Sequence, residues 1–386
     1  MISEPLRSQV MPSDEARDRV RDQSLGIAAG WSPPDAPASW ALTAELFRAI
    51  AEEDALLDLA AVIPADRLPP LLLSAALRHL VARDAPVPLA GYFPTAGAGQ
   101  PPLDAGFRPA LVAFAAEHAD EVAGLCREHR YQMNEVRRSV DVLAVLAEID
   151  PDRPIALVDL GTGAGLGLHL DRYRYRYTGD DGDVVVGDPD SALELACTVR
   201  GDPPAPRAVP RIAARAGIDV EPLDLDDAGV RAWLAACIPP ETGAVDRFAA
   251  ASAIARADPA RLVRGDLVDT AAAVCAEMPA EALLVLVDTF VHVFLPDDER
   301  DRFRALLPRL GRDVEWISVD PLVPLGPEGR DSVQGLPVPE RALEASRAGV
   351  TGVVGRLSVR DGAVSGRVLG LAHPGAAWLE WLDQPR

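Results

Sequence analysis

The chain has 386 residues, of which 48% are hydrophobic and 25% are charged, a composition typical of a globular protein with a substantial core. Its formal net charge of −21 argues against a nucleic-acid partner, because affinity for a phosphate backbone comes from clustered Lys and Arg. The four cysteines lie far apart, with no CxxC pair and no histidine at metal-ligand spacing, so we expect reduced thiols and no metal centre.

The sequence also bears on where the protein acts. Its first residues contain no apolar run typical of a signal peptide, and no charge-free segment has the length of a membrane span. We therefore expect a cytoplasmic protein without a membrane partner.

Residues 1–125 predict an all-helical domain. Apolar residues recur at helical spacing, and Pro69 and Pro109 stand where helices would begin, because a proline in the first turn loses no hydrogen bond. A loop rich in Pro and Gly separates two of these helices over residues 86–106. The long apolar helices could also serve a homodimer.

Residues 126–386 predict an α/β domain. From Ile155 onward, short apolar runs alternate with helical patterns, which is typical of a parallel sheet with crossover helices. The predicted strands are IALVDL, ARAGIDVEP, RLVRGD, ALLVLVD and DVEWISVD. An antiparallel hairpin follows them, turns at Asp361–Gly362 and is expected at the sheet edge.

Residues 171–211 predict a β-rich insertion in this domain. RYRYRY alternates with period two, so Tyr173, Tyr175 and Tyr177 face one side and three arginines face the other. VVVGD and ALELACTVRG are also strand-like, which indicates a small antiparallel unit. Its two faces could form a substrate wall, or a packed aromatic face and a solvated charged face.

The segment IALVDLGTGAGLG predicts a ligand-binding turn. Gly161, Gly163 and Gly165 follow a buried strand and leave no Cβ between the backbone and a ligand. We expect this turn to lead into the N-terminus of a helix. Successive strands end in an acid, at the edge of the sheet where open α/β folds bind ligands.

The ordered series GTGAGLG, GIDVEP, RGD and VDTFVHVF resembles the motifs of class I S-adenosylmethionine-dependent methyltransferases, over roughly residues 130–372. This resemblance implies a three-layer Rossmann-like methyltransferase fold with a C-terminal antiparallel hairpin, beside the N-terminal all-helical domain. More narrowly, QMNEVRRSV, AARAGIDVEPLDLDD, the Trp233–Leu234 pair and LVRGD resemble an uncharacterised bacterial family, domain of unknown function 2332.

The groups at these positions suit S-adenosylmethionine. The backbone of the turn could approach its methionine and ribose parts, Asp159 could accept from its amino group, and Asp219 could accept from both ribose hydroxyls. Asp266 and the backbone of Leu267 could bind the adenine, and Asp288 would line the floor near the reacting methyl. The predicted cofactor-binding residues are Asp159, Gly161, Thr162, Gly163, Gly165, Asp219, Asp266, Leu267 and Asp288.

Two alternatives stay open for these acids. Each could be a helix N-cap after a strand, which is a common position for aspartate. The 54 residues from Gly165 to Asp219 also exceed the roughly 20 of a compact βαβ unit, and taking VVVGD as the second strand would make Asp188 the ribose acid. We favour Asp219, because GIDVEP leads into an amphipathic helix.

Three residues are candidates for catalysis. His292 is the best candidate for a base, because it follows Asp288 by four residues where the fourth strand would open into the site. Tyr131 and Glu135 belong to a polar segment that could close over the cofactor or contact the substrate. The alternatives are a packed histidine and a solvated first turn of a helix.

The sequence therefore predicts an S-adenosylmethionine-dependent methyltransferase that acts on O, N or C of a small molecule. Two other interpretations stay open. The protein could bind S-adenosylmethionine or S-adenosylhomocysteine without methylating anything, or it could be an interaction module whose site has decayed.

Overall fold

The computed structural model describes residues 12–33, 36–95, 103–149, 153–204, 206–241, 243–322 and 332–382. The chain forms two compact units, Met1–Met133 with Arg231–Asp246, and Asn134–Val230 with Arg247–Arg386. The boundary expected after residue 125 stays a prediction, and this division places residues 126–133 and 231–246 with the first unit. The first 11 residues and part of the predicted 86–106 loop lie outside the described residues.

The first unit is helical wherever regular structure is described. Its helices are α1 (Asp14–Gly30), α2 (Ala41–Glu52), α3 (Asp54–Ala61), α4 (Pro69–Asp84), α5 (Phe107–Glu117) and α6 (Ala119–Glu128). They bury an apolar core that includes Phe47, Leu72 and Phe107. α4 begins at Pro69 as predicted, whereas α5 begins at Phe107 and holds Pro109 in its first turn, where the missing N–H still costs no hydrogen bond.

The described residues of the second unit form a mixed sheet of eleven strands and a separate two-stranded pair. In chain order the strands are β1 (Ile155–Leu160), β2 (Arg174–Gly179), β3 (Gly182–Gly187), β4 (Glu194–Arg200), β5 (Ile212–Asp219), β6 (Arg261–Arg264), β7 (Leu283–Thr289), β8 (Val314–Pro321), β9 (Ser332–Val333), β10 (Leu336–Pro337), β11 (Gly352–Arg360), β12 (Ala363–Ala372) and β13 (Trp378–Trp381). The large sheet has the order β3-β2-β4-β13-β12-β11-β8-β7-β1-β5-β6, and β9 pairs with β10.

The remaining helices are α7 (Ser139–Ile149), α8 (Ala228–Cys237), α9 (Ala244–Ala257), α10 (Leu267–Ala276), α11 (Asp297–Leu306) and α12 (Glu340–Ala348). The residues of α8 and α9 from Arg231 to Asp246 belong to the first unit. Among the helices described for the whole chain, none combines the length and the low polarity that crossing a bilayer requires.

The five strands at one end of the large sheet are parallel. β6, β5, β1, β7 and β8 lie side by side and run in one direction, so their order along the chain is 3-2-1-4-5. β1 and β7 are near-continuous apolar runs because strands in such a sheet are buried on both faces. Val158 and Leu284 from these strands belong to one core with Val274 of α10 and Phe303 of α11.

The helix expected after the glycine turn is not a continuous α-helix. The chain instead enters a 3₁₀ turn, Leu166–Arg172, with non-helical backbone angles at His169. β2 begins at Arg174, two residues after this turn ends. The segment VHVF after β7 is likewise a short 3₁₀ turn, His292–Phe294.

The predicted insertion is part of the main sheet and is only partly antiparallel. β2 and β3 form an antiparallel hairpin, but β4 returns parallel to β2 and also pairs in parallel with β13. The sequence did not predict β13, which joins strands β2, β3 and β4 to β12. As a consequence, the β11–β12 hairpin lies inside the sheet and not at its edge.

The alternation predicted for β2 is confirmed. Tyr173, Tyr175 and Tyr177 are buried, while Arg174 and Arg176 form ion pairs with Glu194 on the more exposed side. The three tyrosine hydroxyls donate to backbone carbonyls at 2.6–2.7 Å, those of Leu166, Leu170 and Val140. The packed aromatic face, and not the substrate wall, describes this strand.

Candidate functional site

The carboxyl ends of three strands meet at one edge of the sheet. β1 has β5 on one side and β7 on the other, so the glycine turn follows β1 close to the ends of both neighbours. Strand order reverses at β1, and open α/β sheets bind ligands in the crevice at such a point. Asp188 follows β3, the outermost strand at the far end of the sheet, and is therefore not beside β1.

The glycine turn depends on left-handed backbone angles. The φ angles are +66° at Gly161, +55° at Gly163 and +73° at Gly165. A Cβ at Gly161 would lie 2.5 Å from the side chain of Val291, and one at Gly163 would lie 2.5 Å from Asn134 Oδ1. Side chains of the protein itself therefore approach the turn as closely as glycine permits.

The amides of the turn donate to two side chains. The N–H of Gly163 donates to Asp219 Oδ2 at 2.8 Å, and the N–H of Ala164 donates to Asn134 Oδ1 at 2.9 Å. The other carboxylate oxygen of Asp219 accepts from the N–H of Glu221 at 2.8 Å, and the residue is only 9% exposed. In this conformation, the predicted ribose acid stabilises the turn.

Asp159 and Thr162 contact each other at the start of the turn. Thr162 Oγ1 donates to Asp159 Oδ2 at 2.7 Å. Burial raises the pKa of Asp159 to about 7, and the nearby Asp219 carboxylate adds to this shift. Thr162 also explains Gly217 in β5, because a Cβ there would lie 2.4 Å from the threonine methyl group. Asp159 can therefore exchange a proton near neutral pH.

Asp266 and Leu267 form the start of α10. Asp266 is its N-cap, and Oδ1 accepts from the N–H groups of Val268 at 2.9 Å and Asp269 at 3.1 Å. Leu267 is the first residue of the helix and packs into the core of the central sheet. The two contacts of Asp266 are those of a helix N-cap, which was the alternative interpretation of the acids at the strand ends.

Asp288 and His292 meet Asp320 in a buried cluster. Trp316 Nε1 donates to Asp288, and Ser318 Oγ lies 2.8 Å from Asp288 Oδ2 and 2.9 Å from Asp320 Oδ2. His292 Nδ1 lies 3.2 Å from Asp288 Oδ1, and its ring packs 4.6 Å from the Trp316 ring, measured between centroids. All three ionisable residues are at most 4% exposed.

The cluster must share a proton or a small cation. Burial raises the pKa of Asp288, and burial together with the Asp288 carboxylate raises the pKa of Asp320 well above its usual range. A hydroxyl carries one hydrogen, so Ser318 can donate to only one of the two carboxyl groups and the other one must donate to it. The ligand atoms of Asp288, His292 and Asp320 lie within 4.8 Å of one another, a spacing that could also hold a cation.

Glu135 lies in the segment that precedes α7. Its Oε1 accepts from the N–H of Arg137 at 3.0 Å, and its Oε2 lies 3.4 Å from Arg247 Nη2. Burial alone would raise the pKa of Glu135, but Arg247 and Arg137 outweigh burial and hold this pKa below its usual range. Glu135 is therefore a buried carboxylate that stays ionised.

Arg138, Phe290 and His373 form a neighbouring group, in which Arg138 belongs to the polar segment expected to close over the cofactor. The Arg138 guanidinium lies 4.1 Å from the centre of the Phe290 ring, and Phe290 has a left-handed φ of +60° directly after β7. Burial and Arg137 lower the pKa of His373 to about 3. The polar start of QMNEVRRSV is the sequence signal for the arginines, whereas nothing local indicates Phe290.

Tyr131 belongs to the first unit, where its ring packs against the helical core. Of the three predicted catalytic residues, Tyr131 is thus the one that belongs to the helical unit. Glu135 and His292 lie in the second unit, in the separate groups described above.

A cleft of about 340 Å³ opens beside the glycine turn. The turn contributes Ala164 and Gly165, the loop after β5 contributes Leu223 and Asp224, and β6 contributes Leu262. None of the acids predicted to bind the cofactor lines this cleft. The cleft therefore offers apolar surface, together with charged side chains such as Asp224 and Arg256, next to the turn.

A family model matches residues 19–381, which include all the site residues described above. No curated protein matches the chain. The narrower of the two resemblances is thereby confirmed, and the chain belongs to the family described as "Uncharacterized protein conserved in bacteria" (DUF2332).

Proposed function

We propose that this protein binds S-adenosylmethionine at the carboxyl edge of its central strands and transfers the methyl group to an O, N or C atom of a small molecule. The proposal depends on one observation, the order β6-β5-β1-β7-β8 with three left-handed glycines directly after β1. In sheets with this order, the turn after the first strand faces the ligand crevice. The segments that resemble class I methyltransferases supply the same turn and strand ends.

The residues at this edge suit a ligand that displaces contacts within the protein. The N–H of Ala164 would donate to the ligand in place of Asn134 Oδ1. Asp219 would exchange one of its two backbone contacts for a ribose hydroxyl. We therefore expect binding to rearrange the turn and the segment around Asn134, with the adjoining cleft receiving part of the ligand.

S-adenosylmethionine would supply an electrophilic methyl group. The protein then needs to hold the nucleophile in line with the methyl and, for O or N nucleophiles, to accept a proton. Glu135 offers an ionised carboxylate. His292 stays the predicted base, and Asp288 beside it would stabilise the positive charge of the protonated imidazole ring. Tyr131 stays a predicted contact to the substrate.

Binding without methyl transfer is the second candidate. The observation that favours it is that Asp219, Asp266 and Asp288 all hold contacts within the protein, and none of them lines the cleft. A protein that senses S-adenosylmethionine or S-adenosylhomocysteine needs affinity but no open path to a proton acceptor. An interaction module with a decayed site would bind neither compound.

The first test is isothermal titration of the full chain with S-adenosylmethionine and with S-adenosylhomocysteine. We expect micromolar dissociation constants and a loss of affinity of about tenfold or more in Asp219→Asn. Asp181→Asn is the matched control, because Asp181 is an exposed acid in the turn between β2 and β3. It should bind like the unaltered protein.

The same titration separates the candidates. Absence of binding by folded protein would contradict both candidates that involve the cofactor and leave the interaction module. Equal binding by Asp219→Asn would place the ligand elsewhere. If binding occurs, incubation with methyl-labelled S-adenosylmethionine and small-molecule extract follows, and transfer of label to a small molecule distinguishes the enzyme from the sensor.

A further inference from the structure

A second cleft, of about 880 Å³, opens in the second unit among β4, β10, β12 and β13. Its lining shares no residue with the cleft beside the glycine turn or with the cluster around Asp288. The proposed function makes no use of it.

The cleft exists because β12 is longer than its partner on this side. β12 spans Ala363–Ala372, but β13 pairs only with its last three residues. The N–H of Leu382 then donates to the carbonyl of Leu369 at 2.9 Å. In the part of the chain that the structure describes, no strand pairs with residues 363–368 on this side, so β12 itself bounds the cleft.

Three arginines give the cleft a positive charge. They are Arg200 at the end of β4, Arg341 in the first turn of α12 and Arg367 in β12. Two acids pair with them, Glu380 with Arg341 and Glu148 with Arg367, so the arginines exceed these acids by one. The chain as a whole carries a net charge of −21, so this local excess of guanidinium groups opposes the general charge of the protein. An anion would be repelled by most of the surface and attracted here.

The arginines are oriented by the protein but stay accessible. Nε and Nη2 of Arg341 donate to Glu380 at 3.0 and 3.1 Å, and the side chain is still 56% exposed. Arg367 pairs with Glu148 and is 47% exposed. Arg200 lies over the ring of Trp378, at 5.1 Å from its centre. An oriented guanidinium group can recognise a carboxylate through two parallel N–H donors.

The other walls of the cleft are apolar. Leu336, Val368 and Trp381 contribute side chains to them. Gly366 lets Leu336 lie close to β12, because a Cβ at this position would be 3.0 Å from the leucine side chain. Gly201, with a φ of +81°, lies so close to Trp381 that a Cβ there would be 2.5 Å from its carbonyl oxygen. The cleft thus combines a cationic rim with apolar surface.

We propose that this cleft binds a small organic anion that joins a carboxylate to an apolar body. The carboxylate would contact Arg341, and the apolar body would cover Leu336, Val368 and Trp381. Arg367 projects from the other face of β12, towards Glu148, and adds positive charge at the edge of the cleft. Burial of that body supplies affinity, and the guanidinium groups select a charged ligand over a neutral one of the same shape. This site is independent of the proposed methyl transfer.

The test uses octanoate as the probe and octan-1-ol as its neutral counterpart. Isothermal titration of the full chain should give one saturable site for octanoate and none for octan-1-ol. Arg341→Gln with Arg367→Gln should weaken octanoate binding by about tenfold or more, because one charge-assisted contact and one nearby positive charge are lost. Arg309→Gln is the control, since Arg309 is an exposed arginine of the 3₁₀ turn after α11.

Leu336→Asp gives a second, independent variant. It keeps the arginines but places a negative charge on the apolar wall, so it should also abolish octanoate binding. Circular dichroism confirms that each variant is folded. The proposal is overturned if octanoate shows no saturable binding, if octan-1-ol binds equally well, or if the folded cleft variants bind octanoate like Arg309→Gln.

Discussion

Asp141 shows how a single buried acid can act against stability. It lies in the first turn of α7, and neither carboxylate oxygen has a hydrogen-bond partner in the described part of the chain. Burial raises the pKa of Asp141 well above its usual range, although Arg138 and Arg137 act in the opposite direction. A buried polar group without a partner carries its full cost of desolvation.

Asp141→Asn should therefore change how stability depends on pH. The folded pKa lies above the unfolded value near 3.8, so the unfolded state loses its proton first as the pH rises. Stability is lost from that pH upward until the folded pKa is reached. Urea unfolding at a series of values between about pH 4 and about pH 8 measures the change. The free energy of unfolding of the variant should increase relative to that of the unaltered protein as the pH rises. Parallel curves would contradict this.

Gly163 and Asn134 should be energetically coupled. Gly163→Ala is expected to destabilise the protein by about 1–3 kcal/mol, because φ is left-handed there and the new Cβ would meet Asn134 Oδ1 at 2.5 Å. Asn134→Ala removes that obstacle together with one hydrogen bond. In a double-mutant cycle measured by urea unfolding, Gly163→Ala should cost about 1 kcal/mol less in the Asn134→Ala background. Additive effects would show that the two residues do not touch.

At the scale of elements, one ion network joins a helix to three strands. Glu315 of β8 is fully buried and accepts from Arg356 of β11 at 2.9 and 3.1 Å, and also from Arg360. Arg356 continues to Glu148 of α7 at 3.0 Å, which Arg367 of β12 also contacts. Paired charges of this kind stabilise only while the whole set is present, because each removal leaves a charge without its partner.

Glu315→Ala is expected to lower the free energy of unfolding by about 3–5 kcal/mol, because Arg356 then stays in place without its buried carboxylate. Urea unfolding followed by circular dichroism measures the change. Glu340→Ala is the control. Glu340 pairs with Arg347 at 2.9 Å, but both side chains are about two-thirds exposed, so its loss should cost less than about 1 kcal/mol. Similar losses for the two variants would argue against the network.

At the scale of the whole molecule, the parts predicted from the sequence are those that a local pattern specifies. β1, β5 and β7 are apolar runs that end at or beside an acid, and each lies where the pattern predicts it. β13 is only four residues long, so no periodicity reveals it, and its position depends on pairing with β12 and β4. Missing β13 also caused the error about the sheet edge.

The same distinction applies to the candidate site. The glycine turn could be predicted because left-handed backbone needs particular residues, and Gly161, Gly163 and Gly165 supply them. The contact from Asn134 to Ala164 joins residues 30 positions apart, and no local pattern encodes it. The burial of His292 in the turn after β7 likewise depends on Trp316 of β8. Long-range packing decided which predicted groups hold contacts within the protein.

The three buried tyrosines in and just before β2 have a spectroscopic consequence. Burial raises the pKa of Tyr173, Tyr175 and Tyr177, which are three of the five tyrosines of the chain. In an alkaline ultraviolet titration, native protein should therefore form tyrosinate at no more than the other two tyrosines. The absorbance change of the three buried tyrosines should appear only when base unfolds strands β2, β3 and β4. Reversible ionisation of all five tyrosines in native protein would show that the three hydroxyls are not buried. Base thus turns one buried strand into an optical reporter of its own unfolding.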